Sequence, residues 1–202
     1  MPSKKKPLIF IKLSDSTFQD RDEKLLREKW DILSFTFFPK GAKNWKVPFR
    51  LLAQILWILL HGFKQAPVLI WFVDYHGLIP VVFSRIFHKK VFLVLGGFDT
   101  VYMPERNYGV FSGYWRGKIA RVIYNSAHTL LPVSSTLIKS KNRYTFYPEE
   151  KSFGLLEQIE LSSEVRIQEI PTSYDPDFWS CNKEKRPVSV CTVAYINNDQ
   201  RV

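Results

Sequence analysis

Cysteine is scarce in this sequence, and no metal-binding spacing is present. Only Cys181 and Cys191 occur among 202 residues, without a C-x-x-C spacing and without a histidine nearby. Two such thiols cannot build a disulfide framework, and they match no zinc-binding pattern. The sequence therefore predicts reduced thiols, no metal site and a cytoplasmic location.

Long hydrophobic runs are also missing. The most apolar stretch, Leu51–Leu60, is about half the roughly 20 residues that a membrane-spanning helix needs. Near the amino terminus, Leu8–Leu13 is too short for the apolar core of a secretory signal and contains Lys12. We therefore expect neither a signal peptide nor a membrane span.

Acidic residues are few relative to basic ones. Twenty-nine Lys and Arg face nineteen Asp and Glu, which gives a net charge of +10 and a pI near 9.6. This balance favours an anionic partner such as a nucleic acid, an anionic membrane or a phosphorylated small molecule.

A predicted helix over 47–64 combines this charge with strong hydrophobicity. Its polar residues Arg50, Gln54 and His61 share one stripe, and no acid lies between Pro39 and Gln65. Either the helix is buried in the core, or it lies on a membrane with basic flanks. We interpret its apolar face as core packing and the basic loop before it as facing an anionic surface, such as the inner face of the plasma membrane.

The rest of the chain alternates short apolar strands with amphipathic helices. Apolar residues make up 46% of the sequence and aromatic residues 15%, which is ample for a packed core. The alternation predicts an α/β fold, a Rossmann-like, mostly parallel sheet with helices on both faces. We divide the chain into a first domain over 1–181, and a linker plus the first strand of a second domain over 182–202. Strands are predicted over 7–13, 30–38, 67–73, 91–95, 128–133, 165–170 and 188–196, and helices over 18–29, 47–64, 78–87, 114–126 and 153–161.

The stretch Val91–Tyr108 is the best candidate for chemistry. A buried strand ends at Gly96 and Gly97, two residues before Asp99. Ligands of open α/β sheets bind beyond the carboxyl ends of the strands. The alternative is a tight turn in which Asp99 caps a helix. The loop that follows adds Tyr102, Asn107 and Tyr108 as further candidates for substrate binding.

A second polar cluster follows the strand over 67–73. Asp74 and His76 lie at its carboxyl end, where they could position a substrate. The alternative makes Asp74 a helix N-cap and His76 an exposed residue of the first turn.

At this point the sequence resembles GT-B fold glycosyltransferases of the family-four retaining type, in their amino-terminal half. The likeness covers nearly the whole chain in order and spacing. In this sequence the glycine-rich loop after the first strand is replaced by Ser14–Thr17, and the glycine of the last motif is Ser173. The matching segments are WFVDYHGLIP (71–80), LVLGGFDT (93–100) with Asn107–Gly109, HTLLPVSSTL (128–137), IQEIPTSYDPDFW (167–179) and the strand over 190–196.

The resemblance implies transfer of a sugar from a nucleotide-diphosphate donor to a glycan or lipid-linked acceptor, with retention, in the synthesis of a cell-surface polysaccharide or glycolipid. It implies no cofactor beyond the donor and no metal. Asp99 is then the candidate catalytic residue, with Asp74 and His76 positioning the acceptor. Ser14 and Asp15, in the loop that stands in place of the glycine-rich one, are candidates for substrate binding, and Arg201 is the candidate for the donor phosphate. Because half of the donor site would be absent, we expect this chain alone to be inactive.

Two other classes remain as alternatives. A nicotinamide-dependent oxidoreductase would share the strand and helix alternation, but no G-x-G-x-x-G follows the first strand. A basic α/β module that binds nucleic acid or an anionic membrane without catalysis would explain the charge and the aromatic segment over 143–147. No nucleic-acid recognition motif supports that module, and we expect no nucleic acid among the partners of the transferase.

Overall fold

The computed structural model of the protein describes residues 5–38, 47–64, 66–104, 107–142 and 151–171. Several predictions concern residues outside these ranges. They are the donor-phosphate role of Arg201, the boundary at residue 181, the strand over 188–196, the aromatic segment over 143–147 and the state of the two cysteines.

Four α-helices and eight strands make up the described chain, together with three single 3₁₀ turns. Most lie within two or three residues of their predicted bounds, and β2 and β4 match the prediction at both ends. The strands are β1 (Lys6–Ser14), β2 (Trp30–Phe38), β3 (Val68–Trp71), β4 (Val91–Leu95), β5 (Thr129–Pro132), β6 (Ser140–Asn142), β7 (Lys151–Phe153) and β8 (Arg166–Ile167), and the helices are α1 (Thr17–Lys29), α2 (Val47–His61), α3 (Tyr75–Ile86) and α4 (Tyr114–Asn125).

Six of the strands form one parallel sheet in the order β2-β1-β3-β4-β5-β8. The chain leaves β1 towards one edge, to β2, and then crosses back to β3 on the other side of β1. The point where the strand order reverses lies between β1 and β3, and such a point opens a crevice at the carboxyl edge of the sheet. The remaining strands, β6 and β7, form a separate antiparallel pair.

Helices cover both faces of this sheet, as predicted. On one face α1 packs over a cluster that includes Leu8, Phe10 and Trp71. On the other face α2, α3 and α4 cover a larger cluster built on side chains such as Ile70 and Leu93. Since the central strands are buried on both sides, they read as continuous apolar runs. The fold is thus α/β with a parallel six-stranded sheet, compatible with a Rossmann-like fold.

Helix α2 has the opposite orientation from the predicted one. Its polar stripe faces the protein: Gln54 is buried, and Arg50 donates to the carbonyls of Thr36 and Phe37, both at 2.6 Å. These carbonyls lie at the end of an edge strand, and the guanidinium satisfies them. Most of the apolar stripe, from Leu52 to Leu60, is exposed. Our interpretation of the apolar face as core packing was therefore wrong.

The predicted helix over 153–161 is also wrong. Phe153 is the last residue of β7, paired with Ser140, so a helix cannot begin there. Only one 3₁₀ turn, Leu155–Glu157, follows Gly154, whose φ is 118°. Leu155 and Ile159 are nevertheless buried, and their i, i+4 spacing is the pattern that suggested a helix.

Candidate functional site

The turns after β3 and β4 lie side by side at the carboxyl edge of the sheet. These strands are neighbours, with Trp71 paired to Val94. The Asp99 Oδ2 atom accepts a hydrogen bond from the backbone N–H of Val73 at 3.3 Å, next to Asp74 in the chain. The structure therefore brings together, at one edge of the sheet, the two turns that carry the candidate carboxylates, and the turn after β3 borders the point where the strand order reverses.

Asp99 holds several backbone segments of this edge in place. Its Oδ1 atom accepts from the N–H groups of Gly97 at 2.9 Å and Gly96 at 3.2 Å, while Oδ2 accepts from Val73. Its own carbonyl accepts from the hydroxyl of Tyr124 in α4, at 2.7 Å. Both oxygens of this fully buried carboxyl group thus tie the turn after β3 to the turn after β4, while the backbone carbonyl of Asp99 adds the link to α4.

The protonation of Asp99 reflects two opposing effects. Burial raises the pKa of Asp99 to about 6, although the N–H groups that it accepts from lower it. The nearby Asp99 charge and burial together raise the pKa of the Tyr108 and Tyr124 hydroxyls, with burial the larger cause. A carboxyl group with a pKa near 6 can exchange a proton near neutral pH, but here it has no exposed surface.

The two glycines before Asp99 meet different requirements, close packing at Gly96 and a positive φ at Gly97. A Cβ on Gly96 would lie 2.2 Å from the ring of Phe72. The sequence predicted that the backbone comes close to another group here, and in the structure that group is an aromatic ring. Gly97 has a φ of 131°, which side-chain-bearing residues rarely adopt, and open space around it. Phe72 itself has a φ of 63°, so the backbone is unusual on both sides of this contact.

Asp74 has a structural partner that the sequence did not indicate. It caps α3 by accepting from the Tyr75 N–H at 2.8 Å, as one of our two interpretations expected. It also accepts from Arg116 Nε at 2.8 Å at Oδ1, and from Arg116 Nη2 at Oδ2. The hydrogen bonds that Arg116 donates to Asp74 raise the pKa of Arg116, and they outweigh its burial, which lowers that pKa.

Arg116 connects this ion pair to the loop after β4. Its guanidinium lies 4.9 Å from the ring centre of Phe98, and that ring packs edge-on against Tyr108 at 5.2 Å. The side chain of Arg116 remains 32% exposed. Arginine is a strong partner for carboxylates and phosphates, and here its guanidinium is held by the Asp74 carboxylate and by the ring of Phe98.

The loop residues lie around a short hairpin. Met103 and Tyr108 pair through backbone hydrogen bonds of 3.0 and 3.1 Å, and Asn107, directly before Tyr108, is exposed and has a φ of 47°. Tyr102 and Tyr108 are half-buried. This hairpin adjoins the site through the contact between the rings of Tyr108 and Phe98.

His76 is not the exposed first-turn residue of our alternative interpretation, and its role in positioning a substrate stays a prediction. It is fully buried, and its Nε2 donates to the carbonyl of Trp71 at 2.9 Å. Burial lowers the pKa of His76, so the imidazole is neutral, and Nδ1 has no partner among the described residues. Gln54 donates to the His76 carbonyl at 2.8 Å, so this histidine supports the turn between β3 and α3 and is not an exposed first-turn residue.

The end of β1 completes this edge. Ser14 is the last residue of β1, and Asp15 is exposed just beyond it. Within the residues described, no group of three His, Cys, Asp or Glu side chains is arranged to hold a metal ion.

Arg116 and Tyr124 are the site residues that sequence reasoning missed. One signal was present for Arg116: a cation in the first turn of a helix is opposed by the helix dipole, so its position there suggests a specific acidic partner. For Tyr124 the sequence carries no such signal, because a tyrosine on the apolar stripe of a helix is normally a core residue.

Comparison with known proteins gives no relative. Neither the protein-family models, nor the curated proteins, nor the solved structures contain a match to this chain.

Proposed function

We propose that this chain is the acceptor-side, amino-terminal domain of a retaining glycosyltransferase of the GT-B fold, which moves a sugar from a nucleotide-diphosphate donor to a glycan or lipid-linked acceptor. The observation that carries the proposal is the pairing of the two polar turns: those of Asp74 and Asp99 adjoin at the carboxyl ends of β3 and β4, and the turn of Asp74 borders the crevice between β1 and β3 where the strand order reverses. Crevices of this kind bind ligands in open α/β sheets. The sequence resemblance supplies the chemistry.

The residues of the site take distinct roles in this proposal. The Arg116–Asp74 pair and the Tyr108 hairpin line the acceptor side, with Arg116 offering its exposed part to an anionic group of the acceptor or donor. The contacts of Asp99 favour a positioning role, since it orients the Gly96–Gly97 turn that faces the crevice. Direct contact of Asp99 with the acceptor hydroxyl stays a prediction, as does phosphate binding by Arg201.

A donor and acceptor screen on the complete gene product tests this proposal. We expect turnover of one nucleotide-sugar with retention of anomeric configuration, and none by the 202-residue chain alone. Arg116→Met should lower kcat/KM by at least tenfold, while Lys118→Met in the same helix should not. Absence of transfer with every donor, or steady transfer by this chain alone, would contradict the proposal.

The competing class is a binding module without catalysis, and the net charge of +10 favours it. A nucleic-acid module would bind DNA or RNA with a strong dependence on salt concentration. Fluorescence anisotropy with short DNA and RNA probes at 50 and 200 mM salt distinguishes the two classes. We expect no saturable binding to either probe.

A further inference from the structure

Helix α2 carries a stripe of large apolar side chains on its outer face. Leu52, Leu56 and Leu60 recur every four residues, and Leu60 is 79% exposed. Ile55 and Leu59 widen the stripe. Single exposed leucines are ordinary, but a continuous stripe along a helix marks a surface that meets another apolar phase.

This stripe continues onto the end of α3. Phe63, just beyond α2, packs edge-on against Phe83 and Phe87 at 5.5 and 5.2 Å. Ile86 and Phe87 of that segment are themselves exposed, and so is Val82. We call this surface the α2–α3 face; it comprises Leu52, Ile55, Leu56, Leu59, Leu60, Phe63, Val82, Ile86 and Phe87.

Basic side chains border the α2–α3 face. Lys89 donates to the carbonyl of Lys64, which joins the end of α2 to the loop before β4. Lys64, Arg85 and Lys90 are exposed there. Along residues 32–98 the sequence has eight Lys or Arg and a single acid, Asp74, which is buried against Arg116. This segment therefore supplies seven of the ten net positive charges of the chain, and three of its eight cations, Lys40, Lys43 and Lys46, lie outside the described residues.

We propose that the α2–α3 face is a docking surface for an anionic lipid membrane, with α2 lying in the plane of the interface. Apolar side chains enter the boundary between headgroups and acyl chains, while surrounding lysines and arginines attract anionic headgroups. Charge decides between lipid and the other candidate, a second copy of the chain. Two copies joined through this face would bring their basic borders together, whereas an anionic bilayer neutralises them.

The same contact sets how the protein lies on the membrane. Arg50, in the first turn of α2, binds the carboxyl end of β2, so α2 begins at the sheet edge that carries the candidate site and runs back along the strands. Lying flat on α2, the protein holds that edge beside the lipid surface. Within the described chain no helix is both long and apolar enough to cross a bilayer, so the contact is peripheral.

Vesicle co-sedimentation tests this surface without reference to any enzymatic activity. The protein is mixed with vesicles of phosphatidylcholine alone, or with vesicles of phosphatidylcholine that contain about 30% phosphatidylglycerol. The salt concentration is roughly 0.1 M, at which the Debye length is about 10 Å. We expect at least tenfold tighter binding to the anionic vesicles, and a tenfold or greater loss with Leu56→Glu or Leu60→Glu. The matched control is Leu25→Glu, an exposed leucine of α1 on the opposite face of the sheet, which should bind like the wild type.

A charge variant and a measurement of mass complete the test. Lys64→Glu should weaken binding to anionic vesicles and leave binding to neutral vesicles unchanged. Thermal melts should agree across the variants, because each altered side chain is already exposed. The proposal is overturned if the wild type ignores anionic vesicles, or if Leu60→Glu binds them normally. It is equally overturned if light scattering shows a dimer that Leu60→Glu dissociates.

Discussion

Arg116 and Asp74 form a two-point ion pair across 42 residues of sequence. The pair joins the start of α4 to the start of α3, and it lies where the turns after β3 and β4 meet. Asp74 also caps α3. Its negative charge compensates for the unfavourable interaction of Arg116 with the dipole of α4. The candidate site is thus built by contacts between helix amino termini as much as by the sheet.

Replacing one member of this pair should leave the other uncompensated. Arg116→Met leaves a nearly buried carboxylate with only its capping bond, so we expect a loss of about 2 kcal/mol in the free energy of unfolding. Lys118→Met, an exposed cation of the same helix, should change it by less than about 0.5 kcal/mol. Urea unfolding measures both. A double-mutant cycle of Arg116→Met with Asp74→Asn should give a coupling energy of about 1 kcal/mol or more. If the effects of the two substitutions simply add, the ion pair does not contribute to stability.

Asp99→Asn should destabilise the fold, because an amide group presents a donor to N–H groups that the carboxylate accepts from. We expect a loss of about 2 kcal/mol in the free energy of unfolding at pH 7. The exposed carboxyl of Asp31 offers the matched control, Asp31→Asn.

The stability of the wild type should also depend on pH through Asp99. Its folded pKa of about 6 lies above the ordinary value of 3.8, so the folded state binds the proton more tightly. The resulting stabilisation is complete below about pH 3.8 and is lost as pH rises to about 6. Relative to Asp99→Asn, the wild type should therefore lose up to about 3 kcal/mol between pH 4 and pH 7. A difference that stays constant with pH would contradict this.

Gly96→Ala should destabilise the turn by forcing its methyl group into the ring of Phe72. The 2.2 Å approach requires the ring or the backbone to move, at a cost of about 1–3 kcal/mol. Phe72→Ala should remove the clash, so the double variant should be no less stable than Phe72→Ala alone. Gly97→Ala meets no atom and should cost about 1 kcal/mol through its φ, whatever residue stands at position 72.

Lys12 should contribute to stability because it joins β1 to two carboxylates of α1. It is nearly buried and lies 2.6 Å from Asp20 and 2.8 Å from Glu23. Lys12→Met leaves both carboxylates without this partner, and we expect a loss of about 3 kcal/mol in the free energy of unfolding. The exposed Lys24 of α1 provides the control, Lys24→Met, which should be nearly neutral.

The effect of Lys12 should fade in acid. Burial by itself raises the pKa of Glu23, but hydrogen bonds from Lys12, Arg27 and Ser34 lower it overall. The stabilisation that the Glu23 carboxylate contributes is present above about pH 4.5, and it is lost as the pH falls through the lowered pKa of Glu23 in the folded state. The gap between wild type and Lys12→Met should therefore narrow below pH 4.5, and urea unfolding at pH 3 and pH 7 measures it.

Most of the sheet could be predicted because its strands are buried on both faces. A strand such as β4 must then be apolar throughout, and the glycines after it mark where it ends. The reversal of strand order between β1 and β3 could not be read in the same way, since local patterns carry no information about which strands are neighbours. The extent of the last strand was also predicted poorly, since β8 covers only Arg166–Ile167 of the predicted range 165–170.

The orientation of α2 shows where the hydrophobic pattern misled. The pattern distinguishes a polar stripe from an apolar one, but it assumes that the apolar stripe faces inward. Here the unpaired carbonyls of Thr36 and Phe37, and that of His76, recruit Arg50 and Gln54 instead. Satisfying buried polar groups outweighed hiding the leucines.

By itself, the sequence determined the α/β class, the places where the strands end, and the polar residues that gather at those ends, because burial and backbone propensity act over short stretches of chain. Tertiary structure alone decided that Asp74 meets Arg116, that Asp99 ties three segments together, and that α2 turns its leucines outward. These outcomes depend on which distant groups require partners once the chain is folded, and periodicity along the chain does not encode that requirement.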